Sequence, residues 1–285
     1  MKIQFLSIST GKRCVYTSEP KGLPQLFFVH GGMGLSADSL MPSLAGLEQI
    51  FDLVFFDQRG CGESDAPESG YYTLEELAGD LREIVGKLGD KKRPIGVFGH
   101  SPGGMVAIKA LSLYRDLFDF FFLSNTALDD SWRAASGEAV RRLNDPAIEA
   151  ASKQFDQEPL RDDLLRELAI SYDPLYFPEL TRDQAREVMA GFSYRAASVG
   201  FTSEKVYPGM DLLEDARKID IPGLVIAGEK DVVVPYSCQE NIARYLCRAG
   251  LDIINDAGHF PFVTNKDDFV QTISQWWEGH RKGIE

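Results

Sequence analysis

The feature that most constrains this chain is the pentapeptide Gly99-His100-Ser101-Pro102-Gly103, with Ser101 at its centre. Apolar residues over 95–98 precede it, and apolar residues at helical spacing over 105–111 follow it. The pattern predicts a strand, a sharp turn and a helix, with the serine at the apex of the turn. Glycine is expected two residues on either side, because a side chain there would collide with the neighbouring backbone. Such a turn exposes a serine hydroxyl above the carboxyl end of a sheet, which is typical of a nucleophile.

Apolar runs that end in turns recur on both sides of this pentapeptide and predict a sheet. The expected strands cover residues 2–8, 13–17, 26–29, 53–56, 95–98, 120–123, 222–227 and 251–254. The first two alternate apolar and polar residues, which indicates an antiparallel pair. Helical patterns separate most of the others, with one helix expected over 237–249 and a last one from about 267. This alternation predicts an α/β fold, with a mostly parallel sheet and helices on both faces.

The alternation of strands and helices stops after the sixth expected strand. From residue 129 to about residue 218 only helical patterns are visible. We therefore predict a core domain made of residues 1–128 and 217–285, and a helical cap over residues 129–216. A cap inserted at the carboxyl ends of the strands would lie over the active site. Its aromatic residues, which we interpret mostly as the cap's own core, are Tyr172, Tyr176, Phe177, Phe192, Tyr194, Phe201 and Tyr207.

The net charge and the cysteine content limit which partners and which cellular location are expected for the protein. The net charge of −13 gives an acidic surface that repels phosphate backbones and anionic lipid, so we expect no nucleic acid and no membrane as a partner. The four cysteines lack C-x-x-C spacing and are typical of free thiols in a reducing compartment, which predicts a cytoplasmic protein. Metal-ligand spacing, a Rossmann fingerprint and a P-loop are all missing from the sequence, so we expect no metal and no cofactor.

A serine hydroxyl needs a base, and the chain has only four histidines. His280 belongs to the polar C-terminal tail, and His30 and His100 belong to glycine turns where packing is a sufficient explanation. His259 follows the last expected strand directly, in a loop at the carboxyl edge of the sheet where the serine hydroxyl is also expected. The sequence therefore predicts His259 as the base.

The base in turn needs an orienting carboxylate, which is expected after the preceding strand. Glu229 and Asp231 both follow the strand over 222–227. Asp231 is favoured because it lies past the Gly228 turn and before an apolar run that would fix the loop, which leaves Glu229 or Asp256 as a structural carboxylate. The resulting order along the chain is serine, aspartate, histidine.

Stabilisation of an oxyanion requires backbone amides that point at the reacting carbonyl oxygen. One is expected from the glycine turn after the strand over 26–29, at Gly32 or Met33. The residue after the serine would normally give another, but here it is Pro102, which has no N–H. Proline is well suited to the first position of a helix, which explains its place in the structure. The oxyanion nevertheless lacks the backbone N–H that another residue at position 102 would donate.

Three motifs together resemble the α/β-hydrolase superfamily over nearly the whole chain, and within it the proline iminopeptidases (prolyl aminopeptidases). They are His30-Gly-Gly-x-Gly34, Asp57-Gln-Arg-Gly-Cys-Gly-x-Ser64, and a helical cap before Gly228-Glu-Lys-Asp231. The second is the most specific, since it fixes seven positions. We interpret its Asp57, Gln58 and Arg59 as residues that brace the glycine turns without touching substrate.

The resemblance implies an α/β-hydrolase fold with Ser101 as nucleophile, Asp231 as acid, His259 as base and Gly32 as an oxyanion amide. It also implies a hydrolase that is similar to proline iminopeptidases and acts on a small molecule or a short peptide. From their positions next to the nucleophile and the base, His100, Pro102 and Phe260 are expected to contact the substrate.

The chain departs from the iminopeptidase pattern at three positions. Met33 replaces the usual proline, Pro102 replaces an aromatic residue, and Val232 stands where some members have a glutamate that holds the substrate amine. Four functions therefore remain open: an aminopeptidase, an esterase, lactonase or amidase with the same triad, an enzyme that uses the triad for other chemistry as some members of this superfamily do, and a non-catalytic ligand-binding protein that has lost an oxyanion donor at Pro102.

Overall fold

A computed structural model describes residues 1–32 and 34–284, and its centre is one eight-stranded sheet. The strands are β1 (Lys2–Ile8), β2 (Gly11–Thr17), β3 (Gln25–Val29), β4 (Asp52–Phe56), β5 (Ile95–His100), β6 (Phe120–Ser124), β7 (Gly223–Gly228) and β8 (Ala249–Ile254). Their order in the sheet is β1-β2-β4-β3-β5-β6-β7-β8. β2 runs antiparallel to β1 and to β4, and every other neighbouring pair is parallel. The mostly parallel sheet predicted from the sequence is confirmed.

Helices cover both faces of this sheet, and a run of helices that we call the cap follows its sixth strand. Outside residues 129–216 the helices are α1 (Met41–Leu44), α2 (Leu74–Leu88), α3 (Pro102–Leu113), α11 (Tyr236–Tyr245), α12 (Pro261–Thr264) and α13 (Lys266–His280), and α10 (Leu213–Ala216) is the last helix within 129–216. Those between β6 and α10 are α4 (Trp132–Leu143), α5 (Pro146–Gln157), α6 (Asp162–Ser171), α7 (Asp173–Tyr176), α8 (Arg182–Ala190) and α9 (Val199–Phe201). Short 3-10 turns lie at Ala37–Ser39, Ala45–Gln49, Ala196–Ser198 and Arg281–Gly283, and a π-helical turn at Thr202–Val206.

The central strands are apolar throughout because both of their faces are buried. In β3, Phe27 packs into the cluster under α2 and α3, whereas Phe28 packs into the cluster under α13. Phe121 and Phe122 of β6 divide in the same way. This alternation follows from the two-residue period of a strand, and it explains why the sequence shows continuous apolar runs here.

Local signals in the sequence set several helix ends. Thr73 accepts a hydrogen bond from the amide of Glu76, whose side chain reaches back to the Thr73 amide, and α2 begins there. Thr181 and Gln184 form the same capping box at the start of α8. Both helices begin where the sequence places a threonine three residues before a glutamate or glutamine.

Several boundaries differ from the sequence-based expectation, and two connections show why. β2 begins at Gly11, which pairs with Ile8, so the connection from β1 is shorter than expected. Gly11 has a φ of +115°, a conformation that glycine adopts without strain, and this lets the chain turn back at once. α11 ends at Tyr245 and β8 begins at Ala249, because Ala249 and Gly250 join the sheet beside Gly223 and Leu224.

The two ends of the cap leave the core side by side. Asp129 forms an isolated antiparallel bridge with Asp211, and the Leu212 amide donates to the Leu128 carbonyl at 2.7 Å. The cap also contacts the core loops, since the Arg195 side chain donates to the Gly62 carbonyl at 2.9 Å. In the part of the chain that the structure describes, every helix is too short or too polar to cross a membrane.

Candidate active site

Ser101 lies at the apex of the turn between β5 and α3, with a φ of +53° and a ψ of −126°. A non-glycine residue with positive φ is strained, and such strain persists only where neighbouring contacts hold the backbone. Here the Ser101 amide donates to the Ser124 carbonyl at 3.0 Å, and the Thr126 hydroxyl donates to the Ser101 carbonyl at 2.7 Å. The neighbouring strand β6 and the residues after it therefore fix the turn.

The glycines on either side of the serine are needed for close packing. A Cβ on Gly99 would lie 2.6 Å from the carbonyl oxygen of Gly103, and a Cβ on Gly103 would lie 2.3 Å from the Val29 carbonyl oxygen and 2.4 Å from that of His30. Contacts of this length to backbone atoms cannot be relieved by a rotamer change. The first turn of α3 thus packs directly onto the end of β3, which explains the spacing in the sequence.

Ser101, His259 and Asp231 form one chain of hydrogen bonds at the carboxyl edge of the sheet. His259 Nε2 lies 2.9 Å from Ser101 Oγ, and His259 Nδ1 lies 2.8 Å from Asp231 Oδ2. All three residues are at most 5% exposed. Because Nδ1 faces a carboxylate, it carries the proton and donates, which leaves Nε2 free to accept from the serine hydroxyl. The geometry permits removal of the hydroxyl proton by the imidazole.

Asp231 is held by donors on both of its oxygens. The amides of Val233 and Val234 donate to Oδ1 at 2.8 and 2.9 Å. The side-chain amide of Asn125 donates to Oδ2 at 2.7 Å, beside the bond to His259. A carboxylate that accepts from several donors has a fixed orientation. Asn125 itself has a φ of +50° at the end of β6, and sequence reasoning missed it.

His100 lies behind the base and does not line the cavity over Ser101. It is fully buried, and its Nε2 lies 2.8 Å from the main-chain carbonyl oxygen of His259, so this nitrogen carries the proton and donates. Burial, together with the charge of His259, holds the pKa of His100 well below its ordinary value. A neutral His100 therefore supports the loop of His259 from below, whereas the sequence favoured a contact with substrate.

Residues 57–59 brace the site, as the sequence-based interpretation expected. The Gln58 amide donates to His30 Nε2 at 3.1 Å, and its side chain donates to the His30 carbonyl at 2.9 Å. Asp57 accepts from the amide of Ala37 at 2.9 Å. None of the three lines the cavity that contains Ser101. Their contacts hold the glycine turn after β3 against the end of β4.

Arg59 extends this brace to α2 through a buried ion-pair network. Its Nε and Nη2 each lie 2.7 Å from the carboxylate of Asp80, which also accepts from Arg13 at 2.9 Å. Burial would raise the pKa of Asp80, but hydrogen bonds and charge from Arg59 and Arg13 outweigh it and hold this pKa below its ordinary value. Two buried arginines thus pair with one buried carboxylate, and Arg59 also lies 3.7 Å from the partly exposed carboxylate of Glu76.

A cavity of about 370 Å³ opens above Ser101 between the core and the cap. The core residues in its wall are Gly32, Leu35, Ser101, Pro102, Val233, His259 and Phe260. The cap residues in its wall are Trp132, Arg133, Leu165, Leu168, Ala169, Tyr172, Tyr176, Met189, Tyr194, Val199, Thr202, Ser203 and Tyr207. A wider groove of about 690 Å³ between α4 and α5 contains none of the three hydrogen-bonded residues above.

The structure brings most of the predicted site residues together around this cavity. Gly32, Pro102 and Phe260 line it, and Gly32 has a φ of +47° that favours glycine. Met33, the other expected oxyanion residue, lies outside the described residues. Four of the seven cap aromatics also line it, so the interpretation of these aromatics as cap core misses Tyr172, Tyr176, Tyr194 and Tyr207.

The cap also contacts the loop of His259 directly. The His259 amide donates to the Tyr176 carbonyl at 2.9 Å, and the two rings lie 5.5 Å apart. Tyr176 is the last residue of α7, so a cap helix helps to place the imidazole. Helical periodicity shows that a face is apolar but does not show which residues pack against it, and this contact was therefore not predictable.

Comparison with known proteins agrees with the observed fold. A family model described as alpha/beta hydrolase fold matches residues 24–266. The chain is similar to a proline iminopeptidase of Lactobacillus helveticus, with 24% identity over 98% of this chain and 97% of the relative. It is similar to the putative carbamate hydrolase RutD of Cronobacter turicensis, with 25% identity over 87% and 88% of the two chains. A solved α/β fold family hydrolase from Bacillus anthracis shares the fold, with a TM-score of 0.77 at 18% identity over 96% of this chain and 99% of the other.

Proposed function

The chain belongs to the α/β-hydrolase family, and on that basis we propose that it is a serine hydrolase in which Ser101, His259 and Asp231 form the catalytic triad. The observation that carries this proposal is the unbroken chain of hydrogen bonds from Ser101 Oγ through His259 to Asp231. Nucleophile, base and orienting acid are present at hydrogen-bonding distances, and Ser101 and His259 line a cavity of a size that suits a small molecule.

The proposed reaction proceeds through an acyl-enzyme. His259 Nε2 takes the hydroxyl proton while Ser101 Oγ attacks the substrate carbonyl carbon, and the carbonyl electrons move onto its oxygen. When the tetrahedral intermediate collapses, His259 gives the proton to the leaving group. Water then attacks the acyl-serine by the same route and releases the acid. Asp231 stays ionised and stabilises the imidazolium that forms in each half-reaction.

Stabilisation of the oxyanion lacks one usual hydrogen bond in this arrangement, because Pro102 has no backbone N–H to donate. Within residues 1–32 and 34–284, no acceptor pairs with the Gly32 amide, so this N–H is available to the oxyanion. Helix α3 begins at Pro102, directly after Ser101, and the positive end of its dipole adds favourable charge there. We infer that Gly32 and this helix end together stabilise the developing negative charge.

The wall of the cavity favours an ester or a lactone over an aminoacyl amide. An exopeptidase that takes a free N-terminus needs a carboxylate to hold the substrate ammonium group. Among the described residues that line the cavity, none is aspartate or glutamate. The apolar residues Leu35, Leu165 and Phe260 instead suit an uncharged carbon chain. We therefore prefer a carboxylic ester hydrolase to a proline iminopeptidase.

We further propose that residues 129–216 form the cap domain and that residues 1–128 and 217–285 form the core domain. The bridge between Asp129 and Asp211 supports boundaries near these positions, because it joins the two ends of the cap. A cytoplasmic location remains a proposal, favoured by the four cysteines without disulfide partners.

Labelling with a fluorophosphonate probe, read by peptide mass spectrometry, tests the triad. We expect rapid modification of Ser101 in the wild-type protein and a rate at least about a hundredfold lower in His259→Ala. Ser101→Ala serves as the negative control, with circular dichroism to show that each variant is folded. Equal rates of Ser101 labelling in wild type and His259→Ala would contradict the proposed triad.

The second candidate function is a ligand-binding protein without turnover, and Pro102 is the observation that favours it. A panel of 4-nitrophenyl esters, γ- and δ-lactones and aminoacyl anilides distinguishes the candidates. Turnover of esters or lactones supports the proposed function, and turnover of proline anilide alone would support the iminopeptidase. A folded protein that neither labels at Ser101 nor turns over any compound of the panel would favour the binding protein.

A further inference from the structure

The cavity above Ser101 contains one side chain with a fixed charge, which is Arg133. The other described residues in its wall are apolar, hydroxylic or aromatic, apart from His259. Arg133 is exposed as well as cavity-lining, so it lies where the cavity meets solvent. A cation at this place is unexpected for a chain with a net charge of −13, in which carboxylates are the more abundant charges.

Arg133 differs from the other arginines of its own helix in having no carboxylate partner. Arg141 and Arg142 both pair with Glu138, at 2.9 and 3.0 Å. In the described part of the chain, no aspartate or glutamate lies within ion-pairing distance of the Arg133 guanidinium. Its five N–H groups are therefore available to a ligand.

The two carboxylates nearest to Arg133 in sequence are directed to main-chain groups instead. Asp129 accepts from the amide of Ser131 at 3.0 Å, and Asp130 accepts from the amide of Gly209 at 2.8 Å. These bonds hold the start of α4 and the end of the cap together. They leave the arginine without an intramolecular counter-ion.

The residue before Arg133 presents a second donor without an acceptor. Trp132 lines the same cavity, and its indole Nε1 is buried with no hydrogen-bond partner in the described structure. Its ring meets Tyr207 edge to face, with centroids 5.5 Å apart. A buried N–H without an acceptor is costly, and an acceptor on a bound molecule would remove that cost.

We propose that Arg133, together with the indole N–H of Trp132, binds a carboxylate on the substrate, so that the substrate is a small ester or lactone that also carries a free carboxylate. This assignment rests on the proposed hydrolase function and names its substrate class. A guanidinium binds a carboxylate through two parallel N–H···O bonds, which orients the molecule as well as attracting it. The apolar wall takes the carbon chain between the carboxylate and the scissile carbonyl.

Paired esters that differ only in the charge test this assignment. The first pair is 4-nitrophenyl hydrogen adipate and its methyl ester, with the carboxylate on the acyl side. The second pair is 4-acetoxybenzoate and its methyl ester, with the carboxylate on the leaving group. In wild type we expect kcat/KM to favour the anionic member of at least one pair by about tenfold to a hundredfold, mainly through KM.

Variants assign the preference to individual residues. Arg133→Gln is expected to bring the ratio of kcat/KM within the favoured pair close to one, and Arg133→Lys to keep part of it. Trp132→Phe is expected to lose a smaller part of the preference for the anionic ester than Arg133→Gln does. Arg142→Gln removes an arginine of the same helix that does not line the cavity, and it should leave the ratio unchanged. A ratio near one in wild type for both pairs, or the same ratio in Arg133→Gln as in wild type, would overturn the proposal.

A binding measurement separates this proposal from the hydrolase function. Calorimetric titration with adipate, and with adipamide as its uncharged counterpart, needs no turnover. Suppose that the wild-type protein binds adipate but hydrolyses no ester, and that Arg133→Gln abolishes the binding. This result would support the carboxylate site and refute the hydrolase. Ester hydrolysis with no charge preference and no binding of adipate would keep the hydrolase and refute the carboxylate site.

Discussion

Asn125 donates a hydrogen bond of 2.7 Å to the same oxygen of Asp231 that lies 2.8 Å from His259 Nδ1. One carboxylate oxygen thus serves both the base and a side chain from the neighbouring strand. Since Asn125 adopts a φ of +50°, its side chain reaches Asp231 only because the backbone turns sharply after β6. The position of the acid therefore depends on a residue that touches neither the proposed nucleophile nor the proposed base.

We predict that Asn125→Ala lowers kcat about tenfold, because a hydrogen bond to a charged group is lost and the carboxylate is less firmly oriented. Ester hydrolysis and thermal unfolding should be measured on the same preparations. Asn125→Gly is the matched control, since glycine adopts the positive φ without strain and also lacks the amide. Both variants should lose the same activity, while the glycine variant keeps more of the melting temperature. Full activity in Asn125→Gly would contradict a positioning role for the amide.

Pro102→Ala is expected to raise kcat on esters by about tenfold or more, because alanine supplies the oxyanion donor that proline lacks. The same change should reduce stability by about 0.4–1 kcal/mol, since proline at the first helical position restricts the unfolded chain. Burst kinetics with a 4-nitrophenyl ester would show whether acylation is the accelerated step. An unchanged acylation rate would mean that existing donors already complete the oxyanion site.

Gly103→Ala should destabilise the fold by about 1–3 kcal/mol or prevent folding, because its Cβ would meet the backbone of Val29 and His30 within 2.4 Å. Gly86→Ala in α2 is the matched control, since nothing lies within 4 Å of a Cβ at that position. That change should stabilise the protein by up to about 1 kcal/mol, which is the helix preference of alanine over glycine. Urea unfolding of the two variants measures both effects. Equal stability of the two variants would show that α3 can move away from β3.

Acid should weaken the fold through Asp80, whose pKa is held low by Arg59 and Arg13 despite its burial. A carboxyl with a depressed folded pKa contributes stability that is fully present above its unfolded pKa of about 3.9 and is lost as the pH falls through the folded value. Asp80→Asn should cost about 3–5 kcal/mol at neutral pH, because it leaves buried Arg13 without its counter-ion and Arg59 with only the more distant carboxylate of Glu76 at 3.7 Å. Its stability should also fall less steeply than that of wild type below about pH 4.

The control for this acid effect is Asp116→Asn, which changes an exposed carboxylate that makes no hydrogen bond or ion pair within residues 1–32 and 34–284. Urea unfolding between pH 3 and pH 7 should give nearly parallel curves for wild type and Asp116→Asn. An Asp80→Asn curve that also runs parallel to wild type below pH 4 would exclude Asp80 as the source of the acid sensitivity.

The sequence could predict the sheet and the three hydrogen-bonded residues because each of them follows a strand. Ser101, Asp231 and His259 lie one, three and five residues after the ends of β5, β7 and β8, and the carboxyl ends of parallel strands meet at one edge. Strand patterns and glycine turns are local signals, so their positions could be predicted without knowing the packing. The chemistry of each residue type then suggested the role that we propose for it.

Asn125, Trp132 and Arg133 could not be found in the same way. Asn125 also follows a strand, but asparagine is common in turns, and only its distance from Asp231 shows its partner. The roles suggested for the two cap residues depend on which face of α4 points to the core, and that depends on packing between distant segments. The tyrosines of the cap were misread for the same reason, since periodicity does not distinguish a packed face from the wall of a cavity.

Both chain connections between the cap and the core lie at one place, where Asp129 meets Asp211, and the cap supplies most of the cavity wall. An insert attached at one place can lengthen, shorten or be exchanged between related genes without disturbing the register of the strands. The residues proposed for bond cleavage and those proposed for substrate choice are thus encoded in separable stretches of the gene. Selection on the cap alone could change the substrate of such an enzyme in few steps. Relatives with the same triad can therefore differ in the substrates that they prefer.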